Sequence, residues 1–301
     1  MNKAIFEDNK NQDIQTSAFK ISSTLKSDPI VLKTFEKNHI STAFLDTHPG
    51  TIKRWLDTYK PCVGCKGLKF CKQKQVGYFD NIIDDGFLHT EKKACKFKCE
   101  ELIQTKHLNN YLVNDLPTDL RTVTFENIEL KDESIEYLSV LKQAQSSCNA
   151  HEGLYLFGTM GSGKTYLATC ACNYYAKDNQ KVAFVHYPSF VQRMASQMNG
   201  SEYRDELNKL KYASFVVLDD IGAESVNEWN RDTILLPLLN ERYEKHLMTW
   251  FTSNEDLNTL KEHYSYTKSK QEEVKALRIL ERIKAMAKPC KLTTASRRIY
   301  L

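Results

Sequence analysis

Residues 158 to 165 read Gly158-Thr159-Met160-Gly161-Ser162-Gly163-Lys164-Thr165 and fit the G-x-x-x-x-G-K-[ST] pattern of a phosphate-binding loop. The run Leu154 to Phe157 reads as a strand entering the loop, and 164–177 as a helix leaving it. Glycines let the backbone of Gly158, Thr159, Met160, Gly161, Ser162 and Gly163 fold tightly. Successive N–H groups then converge on phosphate oxygens, at the positive end of the following helix. Lys164 is expected to neutralise the β and γ phosphates of ATP, and the Thr165 hydroxyl to hold Mg2+.

A second acidic element follows. Phe215-Val216-Val217-Leu218 is an apolar run that ends in Asp219 and Asp220, the layout of a buried strand delivering carboxylates to the ligand-binding edge of a sheet. Asp219 is expected to hold magnesium, and Asp220 to orient and deprotonate an attacking water. A strand over 248–252 ends at Ser253-Asn254, where Asn254 could position that water. Lys275, Arg278 and Arg282 recur at i, i+3 and i+7, opposite Leu277, Leu280 and Ile283. A guanidinium on that face suits phosphate oxygens, and at least one of the three is expected to act as an arginine finger.

The third constellation is a cysteine module. Cys62, Cys65, Cys71, His89, Cys95 and Cys99 place six thiol or imidazole groups within 38 residues, where structural zinc needs four. Cys62, Cys65, Cys71 and Cys95 form the favoured Zn2+ set, with Cys99 or His89 as substitutes. Cys148, Cys170, Cys172 and Cys290 read as core or surface residues.

These groups need scaffolds. The 301 residues suit two domains. Short apolar-periodic segments over 1–60 and the cysteine window 62–99 form a small α-helical, zinc-binding N-terminal domain at 1–105. Polar residues 106–122, with Pro117, read as a linker, and 123–301 as the second domain. There, strands at 154–157, 182–186, 215–218 and 248–252 alternate with helices at 164–177, 227–245 and 271–287, before a short strand at 291–294. That order predicts an α/β fold with a parallel sheet flanked by helices.

The N-terminus lacks a basic region followed by an apolar run, and no stretch approaches a membrane span, so a soluble, cytoplasmic protein is expected. Nine cysteines in such a compartment argue against a disulfide framework. Net charge is +4, but residues 261–301 carry seven Lys, four Arg and four acids, leaving the rest of the chain slightly acidic. The basic end is where phosphates would be met.

The cysteine module, Thr124-Phe125-Glu126-Asn127, the phosphate loop, Leu218-Asp219-Asp220-Ile221-Gly222, Phe251-Thr252-Ser253-Asn254 and Arg278-Ile279-Leu280-Glu281-Arg282-Ile283 together resemble the DnaI-type primosomal helicase loaders. These are AAA+ ATPases of the group that includes the DnaC loaders and the DnaA initiator. The resemblance implies an AAA+ P-loop sheet that binds ATP and single-stranded DNA. It also implies an N-terminal domain that grips a replicative DnaB-type hexameric helicase, self-association through the ATPase domain, and work beside other primosome or initiator proteins. By that resemblance Lys164 and Thr165 are Walker A, Asp219 and Asp220 Walker B, and Asn254 sensor 1. Arg282 is the finger reaching a neighbouring subunit, and Arg297 or Arg298 is sensor 2. Many AAA+ proteins carry Glu at the position of Asp220, and the shorter carboxylate implies slow, switch-like hydrolysis. Competing readings are a transposition-helper ATPase, a P-loop kinase of a small molecule, and a non-catalytic zinc adapter with a relict nucleotide site.

Overall fold

The computed structural model describes residues 17–131, 133–196, 201–266 and 272–296. The chain divides into two compact units between Ile103 and Gln104.

The first unit begins with α1 (17–25), α2 (Pro29–Lys37), α3 (Phe44–Thr47) and α4 (Pro49–Tyr59). Asp28 starts α2 in a defined way: its carboxylate accepts from the Ile30 and Val31 N–H groups at 2.9 and 3.4 Å, and Pro29 fills a position that needs no donor. Helix α4 buries Ile52, Trp55 and Leu56, the i, i+3, i+4 stripe that the sequence predicts. The unit is not wholly helical. Tyr78–Asp84 (β1) and Leu88–Ala94 (β2) form an antiparallel hairpin across the Asp85-Gly86 turn, and α5 (Lys96–Thr105) follows. The hairpin escapes a pattern search because only Ile82 of β1 is buried and β2 is largely exposed. It is held instead by the Trp55 indole N–H donating to Asp80 O at 3.0 Å and the Asn38 amide donating to Ile82 O at 3.2 Å.

The second unit is built on a six-stranded sheet in the order β3-β5-β6-β7-β4-β8, with every neighbouring pair parallel. Its strands are β3 (Tyr111–Asn114), β4 (Gly153–Phe157), β5 (Val182–His186), β6 (Phe215–Asp219), β7 (Met248–Ser253) and β8 (Ala287–Lys291). Alternate side chains of the central strands feed two separate cores. Val216 and Leu218 pack on one face, Phe215 and Val217 on the other. Burial on both faces is why these strands read as continuous apolar runs. The crossovers are α6 (Ile135–Ala150), α7 (Lys164–Lys177), α8 (Tyr187–Ser196), α9 (Ser201–Tyr212), α10 (Leu236–Glu244), α11 (Leu257–Ser265) and α12 (Glu273–Met286).

Three further expectations are corrected. Residues 106–122 are not a linker: they belong to the second unit and supply β3, which pairs with β5. The segment is polar in composition, yet the buried Asn173 amide of α7 gathers it by donating to Leu120 O, Arg121 O and Val123 O, with the Val123 bond at 2.8 Å. The His107 ring adds 3.0 Å contacts to Arg121 O and Asn173 Oδ1. The last strand lies at Ala287–Lys291 rather than 291–294, entered from α12 without a loop. Its Pro289 is tolerated because β8 is an edge strand. Finally, the helix expected over 227–245 contains near its start a widened π turn, Asn230–Leu235, one residue ahead of Pro237, which lacks the N–H a regular α turn requires.

Candidate nucleotide site

Strand β4 runs into the glycine loop and α7 leaves it at Lys164. Gly158 sits at φ +138°, where a Cβ would lie 2.0 Å from the Leu292 carbonyl oxygen, so no other residue fits. The Lys164 ammonium is buried and donates to Gly158 O at 3.0 Å, Thr159 O at 2.8 Å and the Asn254 amide oxygen at 3.0 Å. One cation therefore joins the loop to the end of β7. The Ser162 hydroxyl is fully buried and finds no hydrogen-bond partner among the described residues.

Parallel pairing places the ends of β5, β6 and β7 at the same sheet edge, so the polar residues that finish these apolar runs converge. Asp219 Oδ1 accepts from the Thr165 hydroxyl at 3.0 Å and the Thr252 hydroxyl at 2.6 Å. Burial, opposed by the two hydroxyls and aided by the Asp220 charge, leaves the Asp219 carboxyl pushed up to about 6. Asp220 follows with a left-handed backbone, φ +58°, a conformation short polar side chains tolerate, and its N–H donates to Thr252 Oγ1 at 2.9 Å. Its own carboxylate is one-third exposed. A cleft lined by Gly161, Lys164, Thr165, Asp220 and Asn254 results, and Asp119, Leu120, Met160 and Tyr166 line it too.

Sequence reasoning missed Asp119 and Leu120 by assigning them to a linker. It also missed His186, whose Nε2 lies 3.7 Å from Asp220 Oδ2 and whose Nδ1 meets Ser189 Oγ at 2.7 Å. The available signal was its place as the polar residue ending an apolar strand.

The basic face of α12 is divided. Lys275 is engaged by Asp232 at 2.7 Å and Glu272 at 3.0 Å. Arg278 is exposed, and so is Leu277, because the buried stripe is Ala276, Ile279, Leu280 and Ile283. Arg282 donates from Nε to Asn240 Oδ1 at 2.7 Å and lies over the Tyr243 ring, 4.6 Å from its centroid, outside the cleft of its own chain. Arg297 and Arg298 fall outside the described residues.

In the first unit Cys62, Cys65, Cys71 and Cys95 line one cavity. Burial raises the Cys62 thiol, with the Gln73 amide opposing and the other three thiols adding to the rise. Cys99 and His89 are directed elsewhere, to Ala94 O at 3.7 Å and Phe87 O at 3.1 Å. Among the described residues, no three His, Cys, Asp or Glu side chains are gathered closely enough to hold a metal ion as they stand. Nor is any described helix long and apolar enough to cross a membrane.

A parallel sheet with a glycine loop after β4, and a hydroxyl-bonded carboxylate ending the strand one removed from it, defines an AAA+ type nucleotide-binding domain. More narrowly, the chain belongs to the IstB-like ATP binding protein family, whose model matches residues 105–299. The replicative helicase loader DnaI of Bacillus subtilis (strain 168) is 29% identical over 250 residues, covering 81% of this chain and 80% of the relative. A crystal structure of DnaI matches with a TM-score of 0.55 and 29% identity, over 62% of this chain and 98% of that one. A putative insertion sequence ATP-binding protein, y4pL of Sinorhizobium fredii (strain NBRC 101917 / NGR234), is 32% identical over 96 residues, 32% of this chain and 38% of the relative.

Proposed function

We propose that this protein is an ATP-dependent loader that places a replicative DnaB-type hexameric helicase on DNA during primosome assembly, in replication initiation or restart. The supporting observation is the extent of the likeness to DnaI. A match of 250 residues is longer than the whole second unit, Gln104–Leu301, so it reaches into the cysteine-bearing unit as well. The insertion sequence protein matches over only 96 residues. A small-molecule kinase or a transposition helper would not account for the first unit.

In this reading the loop amides and Lys164 bind the triphosphate, with Thr165 and Asp219 holding Mg2+. Asp219 is well placed for the ion, because its Oδ1 faces the Thr165 hydroxyl directly and a bound dication would favour its ionised form. Bound magnesium would neutralise charge on the β and γ phosphates. Asp220, the more exposed carboxylate, takes the proton of the attacking water as the bond from the γ phosphorus to the bridging oxygen breaks. Asn254 orients that water. Lys164 must exchange its carbonyl contacts for phosphate oxygens, which couples nucleotide entry to the end of β7. The short reach of Asp220 makes hydrolysis slow. Arg282 acts on the nucleotide of a neighbouring subunit, and Arg298 or Arg297 supplies a further phosphate contact. The four cysteines suit Zn2+ by donor type and shared cavity, provided their thiolates close in. Zinc would cross-link the loop to the hairpin and contribute folding free energy on the order of 10 kcal/mol. The first unit then grips the helicase, and the second binds single-stranded DNA.

The test mixes the full chain with a DnaB-type hexamer and circular single-stranded DNA. Co-elution with the hexamer, and ring transfer that requires ATP, are expected. Failure to co-elute at micromolar concentration would end the loader reading while leaving ATP binding intact.

A further inference from the structure

Beyond β8 the chain continues as an extended segment, 292–296, that lies along the back of the phosphate loop. The Leu292 N–H donates to Phe157 O at 2.7 Å, carrying the β4–β8 pairing to the mouth of the loop. Thr159 Oγ1 donates to Thr294 O at 3.0 Å, and Thr294 Oγ1 donates in return to Ser162 O at 3.3 Å. A Cβ on Gly161 would stand 2.4 Å from Ser296 Oγ, so loop and segment are in direct contact there too. On its other side the segment is anchored to α6. Glu136 Oε1 accepts from both the N–H and the hydroxyl of Thr293 at 2.7 Å, and those two bonds hold the Glu136 carboxyl below its ordinary range.

We infer that 292–296 is a strap that sets the phosphate loop from behind, with Thr294 and Glu136 as positioning residues for nucleotide binding. The inference rests on reading 158–165 as the cradle of a nucleotide. In a planar trans peptide the carbonyl and the following N–H point in opposite directions. A Ser162 carbonyl held toward Thr294 therefore keeps the Gly163 N–H turned away from the strap, toward the face where Lys164 lies. Lys164 meanwhile draws the Gly158 and Thr159 carbonyls to that inner face, so the loop is held between a cation in front and a hydroxyl behind. When phosphates claim the ammonium, the strap remains as the outer template. Coupling of this kind is reciprocal: if docking of the strap favours nucleotide binding, nucleotide binding favours docking of the strap. The segment 292–296 is thereby made a reporter of site occupancy.

The experiment compares the full-length wild type with Thr294→Val, Thr294→Ser and Glu136→Ala. It measures the Kd for a ribose-labelled fluorescent ATP analogue with Mg2+, and amide hydrogen exchange over 292–296 with and without ATP. Loss of one net hydrogen bond predicts that Thr294→Val binds about 3- to 10-fold more weakly, with Thr294→Ser restoring affinity to within about twofold. Glu136→Ala, which leaves the loop itself untouched, should weaken binding in the same direction. ATP should slow exchange over 292–296 in the wild type and do so less in Thr294→Val. Wild-type affinity in both Thr294→Val and Glu136→Ala, or exchange over 292–296 that ignores ATP in a wild type that binds it, would overturn the strap. A wild type that binds no nucleotide at all would instead remove the cradle reading, and the strap with it.

Discussion

Asp219 is held by two hydroxyls at the buried end of β6, and its environment pulls two ways. Removal from water raises its carboxyl to about 6, so the folded chain keeps a proton there that the unfolded chain releases near pH 4. Between those values the native state holds more protons, and its stability falls as pH rises. In EDTA, replacing Asp219 with Asn should therefore favour the variant by about 1 kcal/mol more at pH 7 than at pH 5, read from urea unfolding. An identical wild-type-to-variant gap at both pH values would contradict the burial cost assigned to this carboxylate. The phosphate loop, Asp219, Asp220 and Asn254 were legible in the sequence because each follows an apolar run of strand length, and a polar group in that position falls at the edge of a parallel sheet. His186 was equally a strand-ending polar residue, but nothing local shows that its ring faces Asp220; only the register His186↔Asp219 brings them side by side. Arg282 was legible as a cation on α12, whereas its contacts with Asn240 and Tyr243 depend on how α10 packs.

At the scale of elements, the central strands were readable from composition, while the marginal ones were not. Strand β3 hides in a polar stretch because it is only four residues long with Val113 alone buried, and pairing with β5 and the Tyr111 hydroxyl's bond to Asn173 complete its anchoring. The β1–β2 hairpin buries so little that alternation could not reveal it, although the Asp85-Gly86 turn was a signal. That thin burial carries a prediction. With about one apolar side chain of the hairpin in the core, the cysteine loop and hairpin need another constraint to stay ordered. A strong chelator, or Cys62→Ser, should raise amide exchange over 60–105 at least about tenfold while leaving ATP affinity unchanged. Metal analysis finding no zinc, with exchange unaltered by chelation, would show that the four thiols serve packing alone.

At the scale of the whole molecule, Arg282 lies outside the cleft of its own chain, which suggests a composite site completed by another copy. Lys164→Ala and Arg282→Ala should each be inactive alone as ATPases. Mixed together, they should regain roughly a quarter to a half of wild-type turnover, since one variant offers an intact cradle and the other an intact guanidinium. Inactivity of the mixture, despite self-association seen by light scattering, would place Arg282 outside catalysis.

The Asn173 amide has a consequence for how the molecule can be divided. Its three carbonyl partners all precede residue 124, and two of them precede Val123. A fragment begun at 123 would strip β3 from the sheet edge, leave the Asn173 amide with only its Val123 bond, and take the His107 and Tyr111 partners from its oxygen. The smallest autonomous piece able to hold the nucleotide should therefore start ahead of His107, close to the division between the two units at Ile103 and Gln104.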